Sequence, residues 1–108
     1  MTKTPEEILE YARKEADKAA IVARLGDQED AYCGFAWVRI RPARGKFVNY
    51  LKANGIGDNG VYGGWEVSDH EYNPHNTQSM TFKEIVGRAF ANALRECGVQ
   101  ATLVSRAD

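Results

Sequence analysis

Cysteine is scarce: Cys33 and Cys97 are the only two among 108 residues. They are too few for a disulfide framework and too far apart for a Cys-x-x-Cys site. Nothing in the sequence pairs either thiol with an activating base, so both read as buried, inert thiols. No apolar run approaches the roughly 18 to 20 residues of a membrane span. The opening MTKTPEEILEYARKE lacks the apolar core of a secretory signal, so a cytoplasmic chain without a membrane partner is expected. A charge excess is missing too. Fourteen Lys plus Arg against fifteen Asp plus Glu leave a net charge of −1, which argues against a protein built around non-specific nucleic-acid or membrane electrostatics. Repeats and low-complexity segments are absent.

What remains is the composition of an average globular domain, 44% hydrophobic and 27% charged, at a length that suits one domain over residues 1–108. The charges are segregated along the chain. Residues 1–30 hold eight acids and five bases, 31–57 hold five bases and no acid, and 58–81 hold four acids and no base. The basic block is concentrated in RIRPARGK, with Arg39, Arg41, Arg44 and Lys46. Mutual neutralisation of the segments in the fold is the simplest reading of this layout.

The element signals alternate. Thr4, Pro5 and Glu7 mark a helix start with a capping box, followed by Ile8, Ala12, Ala16, Ala19 and Ala23 at helical spacing and Gly26 as a stop. This N-terminal helix, over about residues 4–25, has a thin alanine stripe and is expected to be peripheral. Residues 31–41, AYCGFAWVRIR, alternate as a strand that Pro42 ends. A short helix is predicted over 43–54, and a second strand over Gly60–Ser68. Residues 69–80 lack any period except a brief strand at Gln78–Met80. Thr81 and Glu84 form a capping box before a helix bearing Ile85, Val86, Ala89, Phe90, Ala93 and Leu94, and Val99–Ser105 reads as a last strand. The order α-β-α-β-α-β predicts a single two-layer α+β (or α/β) domain. Its three- or four-stranded sheet should be packed with helices, and helical crossovers favour parallel neighbours.

Few motifs carry chemistry. Gly55-Ile-Gly57-Asp-Asn-Gly60 spells G-x-G-x-x-G, but a helix precedes it and a strand follows, the reverse of the phosphate-binding context. Phe35, Trp37, Arg39 and Arg41 share one face of the first strand, the combination with which sheets stack bases and hold phosphates. A small domain needs its large aromatics inside, so burial of Phe35 and Trp37 with the arginines fraying outward is the more economical expectation. Gly63-Gly64 before Trp65 marks a bulge or a close approach, with Trp37 as one candidate neighbour. His70 and His75 lack metal-ligand spacing, so a metal-free loop is expected. Gln78 and Ser79 stand just before a helix N-terminus, where they could cap it or meet an anion. No G-x-S-x-G or Walker-type motif occurs.

The runs Cys33-Gly34-Phe35-Ala36-Trp37-Val38, Gly63-Gly64 with Ser68-Asp69, Gln78-Ser79 and Ser105-Arg106-Ala107-Asp108 together resemble small uncharacterised proteins encoded in phage and prophage genomes. The resemblance covers about residues 32–108. It implies an accessory protein acting in a host cytoplasm by binding host factors or signalling nucleotides. With no catalytic constellation, a binding protein for an anionic ligand is expected rather than an enzyme, without cofactor or metal. The ligand would be a nucleotide, a nucleic acid, or the acidic surface of a host protein. The expected site comprises Arg39, Arg41 and Arg44 with Trp37, Trp65, Gln78 and Ser79. The alternatives are a small metal-assisted hydrolase using His70 and His75, and a structural protein that self-associates through its sheet.

Overall fold

The computed structural model describes residues 3–25, 33–73 and 79–107. Helix α1 spans Pro5–Leu25 and starts as its sequence dictates. Thr4 donates its backbone N–H to Glu7 Oε1 at 2.8 Å, and Thr4 Oγ1 accepts from the Glu7 N–H at 3.2 Å, a reciprocal capping box. Its buried stripe is Ile8, Leu9, Ala12, Ala16, Ala20 and Ala23. Small side chains let this helix lie close to the long helix α3, Met80–Glu96, and the two pack along their length. The expectation of a peripheral first helix therefore gives way: the alanines belong to the main core. The proposed stop at Gly26 lies outside the described residues.

Between these helices run β1 (Gly34–Ile40), α2 (Lys46–Ala53), β2 (Asp58–Asn59) and β3 (Trp65–Ser68), with β4 (Ala101–Ala107) last. The strand order is β2-β3-β1-β4, and every neighbouring pair is antiparallel. After α1 the connectivity is β-α-β-β-α-β, the split βαβ arrangement. The chain is thus an α+β domain, and the expectation of parallel neighbours is corrected. Strands joined by a helix do run parallel, but another strand is inserted between them: β3 separates β1 from β2, and β1 separates β3 from β4.

The segment expected as one strand over Gly60–Ser68 is the turn and second strand of a hairpin whose first strand is β2. Residues 60–64 form its turn, in which Gly63 and Gly64 take φ of 90° and 81°, values that side chains with a Cβ resist. Near the other end of the chain, Ser79 rather than Thr81 caps α3, its hydroxyl accepting from the Phe82 N–H at 3.2 Å. Ser79 also forms an isolated bridge with Cys33, all that the described residues contain of the expected strand at Gln78–Met80.

The core lies on one face of the sheet only. Ala36, Val38 and Ile40 of β1, with Trp65 and Val67 of β3, are buried against Phe82, Val86, Phe90 and Leu94 of α3 and against Val48 and Leu51 of α2. Tyr72 closes the edge of this core, stacked on Phe90 with ring centroids 4.3 Å apart. The economical expectation for β1 is overturned by this arrangement. The small apolar residues of the strand face inward, where α3 and α2 cover them, and Phe35 and Trp37 face outward. Phe35 is 46% exposed and Trp37 is partly buried.

Candidate ligand-binding face

Residues directly opposite one another in an antiparallel pair share a face, so the register assigns the open side of the sheet. Phe35, Trp37 and Arg39 of β1 stand beside Arg106, Val104 and Thr102 of β4, and Ser68 and Glu66 of β3 lie across from Trp37 and Arg39. Two clefts adjoin these residues.

The first cleft, of about 600 Å³, is lined by Arg39, Arg41 and Arg95 and by the loop Gly98–Gln100 with the start of β4. No acidic side chain is among its lining residues. Arg39 is held by Glu66, whose Oε2 accepts from Nε at 3.0 Å and lies 2.9 Å from Nη2. Arg41 donates through Nη2 to the Tyr62 carbonyl at 2.9 Å. Arg95 donates through Nη1 to the Ala101 carbonyl at 2.6 Å and through Nη2 to Asn92 Oδ1. Arg41 and Arg95 have no carboxylate partner among the described residues. The stems of Arg39 and Arg41 cross Gly64, where an added Cβ would come within 3.0 Å of the Cγ of each. That close approach, which does not involve Trp37, adds to the positive φ as a reason for the second glycine of the pair.

The second cleft, of about 560 Å³, has Phe35 and Trp37 on its floor, with Lys83 and Arg106 at one side and Asp58, Asp69 and His70 at the other. Lys83 donates to the Gly34 carbonyl at 3.0 Å and stands 5.6 Å from the centre of the Phe35 ring. The Arg106 guanidinium stands 5.8 Å from the same ring. The Trp37 indole N–H is buried and has no hydrogen-bond partner among the described residues, although buried polar groups are ordinarily satisfied. Burial raises the Asp69 carboxyl above its ordinary range, opposed by the hydrogen bond from Asn73 and by the charge of Lys83.

The expected site residues divide. Arg39, Arg41 and Trp37 line the two clefts, joined there by Arg95 and Lys83 of α3 and by Arg106 of β4, which sequence reading did not select. Arg44 is exposed but does not line the arginine cleft, because Pro42 and the start of α2 carry it past the end of the strand. Trp65 faces the other way: it is buried, and its indole N–H donates to the Ile56 carbonyl at 2.9 Å. Ser79 is buried as the α3 cap, and Gln78 lies outside the described residues. Cys33 is exposed rather than buried.

His70 is 80% exposed and 3.7 Å from Glu71. No group of three metal-ligating side chains converges among the described residues, and His75 lies outside them. Likewise, no helix among the described residues is long and apolar enough to cross a membrane. Comparison with protein-family models, with curated proteins and with solved structures finds no match.

Proposed function

We propose that this chain is a binding protein for an anionic ligand, held in the cleft of Arg39, Arg41 and Arg95. The observation that carries this reading is that three arginines, from two sequence regions, line one cleft without an acidic lining residue. Arginine offers paired donors in a fixed fork, the geometry that phosphate and carboxylate groups accept. Glu66 neutralises one of the three charges, and two remain for a ligand. Nucleotides, nucleic acids and acidic protein surfaces all carry the required chemistry. The resemblance to phage-encoded proteins fits an accessory role of this kind in a host cytoplasm.

The test is a titration of the protein with nucleotides and short oligonucleotides at low and high salt. Arg41→Ala should weaken binding, and the affinity of the wild type should fall with salt, since exposed charges are screened over about 10 Å at 0.1 M. Arg44→Ala removes the same charge from the same basic block but outside the cleft, and should bind nearly as the wild type does. Equal losses in the two variants, or no binding by the wild type, would overturn the reading.

A further inference from the structure

The two clefts share one sheet face, and β1 runs through both. Phe35, Trp37, Arg39 and Arg41 follow one another at every second position, so neighbouring side chains stand about 6.7 Å apart along the strand. From Phe35 to Arg41 the face extends about 20 Å, more than one nucleotide can bridge. Its chemistry changes along that length. The arginine cleft lies at one end, and an aromatic floor flanked by Lys83 and Arg106 lies at the other.

We infer that the anionic ligand is a single-stranded nucleic acid lying along β1, its bases stacked on Phe35 and Trp37 and its phosphates running to the arginine cleft. This inference rests on the anion-binding reading above and specifies its ligand. Three observations carry it. Phe35 is nearly half exposed on a sheet face that small domains ordinarily reserve for polar residues, and flat rings at this position offer stacking surface to any base. Two cations stand beside that ring, Lys83 at 5.6 Å and Arg106 at 5.8 Å from its centre, within reach of the phosphates of a base seated there.

The acids on the other side of the aromatic cleft are the third observation. Asp58 and Asp69 would repel a phosphate, but they suit the exocyclic amino group of a base, since carboxylates accept hydrogen bonds there. A duplex fits poorly, because its bases are stacked on one another and present no free faces. An acidic peptide would satisfy the arginines but leave the aromatic floor and the two aspartates without a partner.

The test uses fluorescently labelled single-stranded RNA and DNA of about eight nucleotides, within the range of site sizes known for single-strand binders. The same sequences as duplexes, inorganic polyphosphate, and an acidic peptide of matched charge serve as competitors. Single strands should bind and quench tryptophan emission, and duplex, polyphosphate and peptide should compete weakly. Phe35→Ala and Trp37→Leu should each weaken single-strand binding by about five- to a hundredfold, the range for loss of one stacked base. Neither should change the residual binding of polyphosphate. Comparison of RNA with DNA reports whether the 2′-hydroxyl is contacted.

Thermal melts of both variants check that the fold is intact, and Phe35, the more exposed of the two, is the variant least coupled to the core. Equal binding of single strands, polyphosphate and acidic peptide, unaffected by Phe35→Ala, would overturn the nucleic-acid assignment and leave the arginine cleft standing. Failure of every polyanion to bind would overturn both.

Discussion

Arg39 and Glu66 stand directly opposite each other across β1 and β3, and one carboxylate oxygen holds both Nε and Nη2 of the guanidinium. The pair sits between the two clefts, with both side chains about four-fifths buried. Glu66 therefore acts on the site in two ways: it fixes the arginine stem and cancels its charge.

Replacing Glu66 with Gln separates these effects. Stability should fall by about 1 kcal/mol, because a charge-assisted contact is exchanged for a neutral one. Anion binding should tighten severalfold, since Arg39 is released from its carboxylate. Denaturant titration and ligand titration of the same variant measure the two quantities. Weaker binding in Glu66→Gln would show that the posture of Arg39 matters more than its free charge.

Gly63 and Gly64 offer a paired test of the arginine stems. Both have positive φ, so alanine at either position should cost about 1 to 2 kcal/mol of backbone strain. A Cβ at Gly63 meets open space, whereas one at Gly64 meets Arg39, Arg41 and the Ile40 carbonyl at 3.0 to 3.1 Å. Gly64→Ala should therefore destabilise more than Gly63→Ala, and it alone should weaken anion binding. Crystal structures of the two variants would show whether the stems have moved.

In the core, Phe90→Ala should cost about 3 to 5 kcal/mol. Phe90 is 1% exposed and carries the stacking contact with Tyr72. A chemical denaturation loss below about 1 kcal/mol would mean that the helix face has been assigned wrongly.

Tyr72 gives a prediction on pH. Its hydroxyl is buried without a hydrogen-bond partner among the described residues, and burial raises its ionisation above the ordinary 10.0, with a further push from Asp69. The folded state holds the neutral phenol, whereas the unfolded chain ionises it near the ordinary value. Stability is therefore unaffected by this group below pH 10 and falls as the pH rises beyond it. Tyr72→Phe removes an unsatisfied buried hydroxyl, so it should leave stability at neutral pH unchanged or slightly increased. It should also flatten the alkaline limb of a plot of melting temperature against pH. An unchanged alkaline limb in the variant would contradict the assignment.

The parts of this fold that local chemistry specifies were legible in the sequence. The capping box of Thr4 and Glu7, the alternation along β1 and the apolar stripe of α3 each need only a few neighbouring residues. Which side of β1 is buried was not legible, because that depends on what the helices supply. Alanines along α1 looked too small to matter, yet they let α1 pack closely on α3, the helix that covers the face bearing Ala36, Val38 and Ile40. Phe35 and Trp37 were then left for the open side. The strand insertion that makes all neighbours antiparallel depends on the two-residue strand β2, too short to show a period. The same limit applies to the site. Arg39 and Arg41 were visible as a basic run on one strand face. Arg95 lies 54 positions beyond Arg41, and only the start of β4 brings it alongside, while Arg44, close in sequence, is carried away by the turn at Pro42.

The account's central claim is that the arginine cleft receives an anion, and amide-resolved NMR tests it most directly. The isotopically labelled protein would be titrated with inorganic triphosphate and with a short single-stranded oligonucleotide, at low and at high salt. The predicted shifts cluster at Arg39–Arg41 and Gly98–Thr102 for both ligands, extend to Phe35 and Trp37 for the oligonucleotide alone, and shrink as salt is added. Shifts confined to residues away from these two segments, or none at all for either ligand, would contradict it.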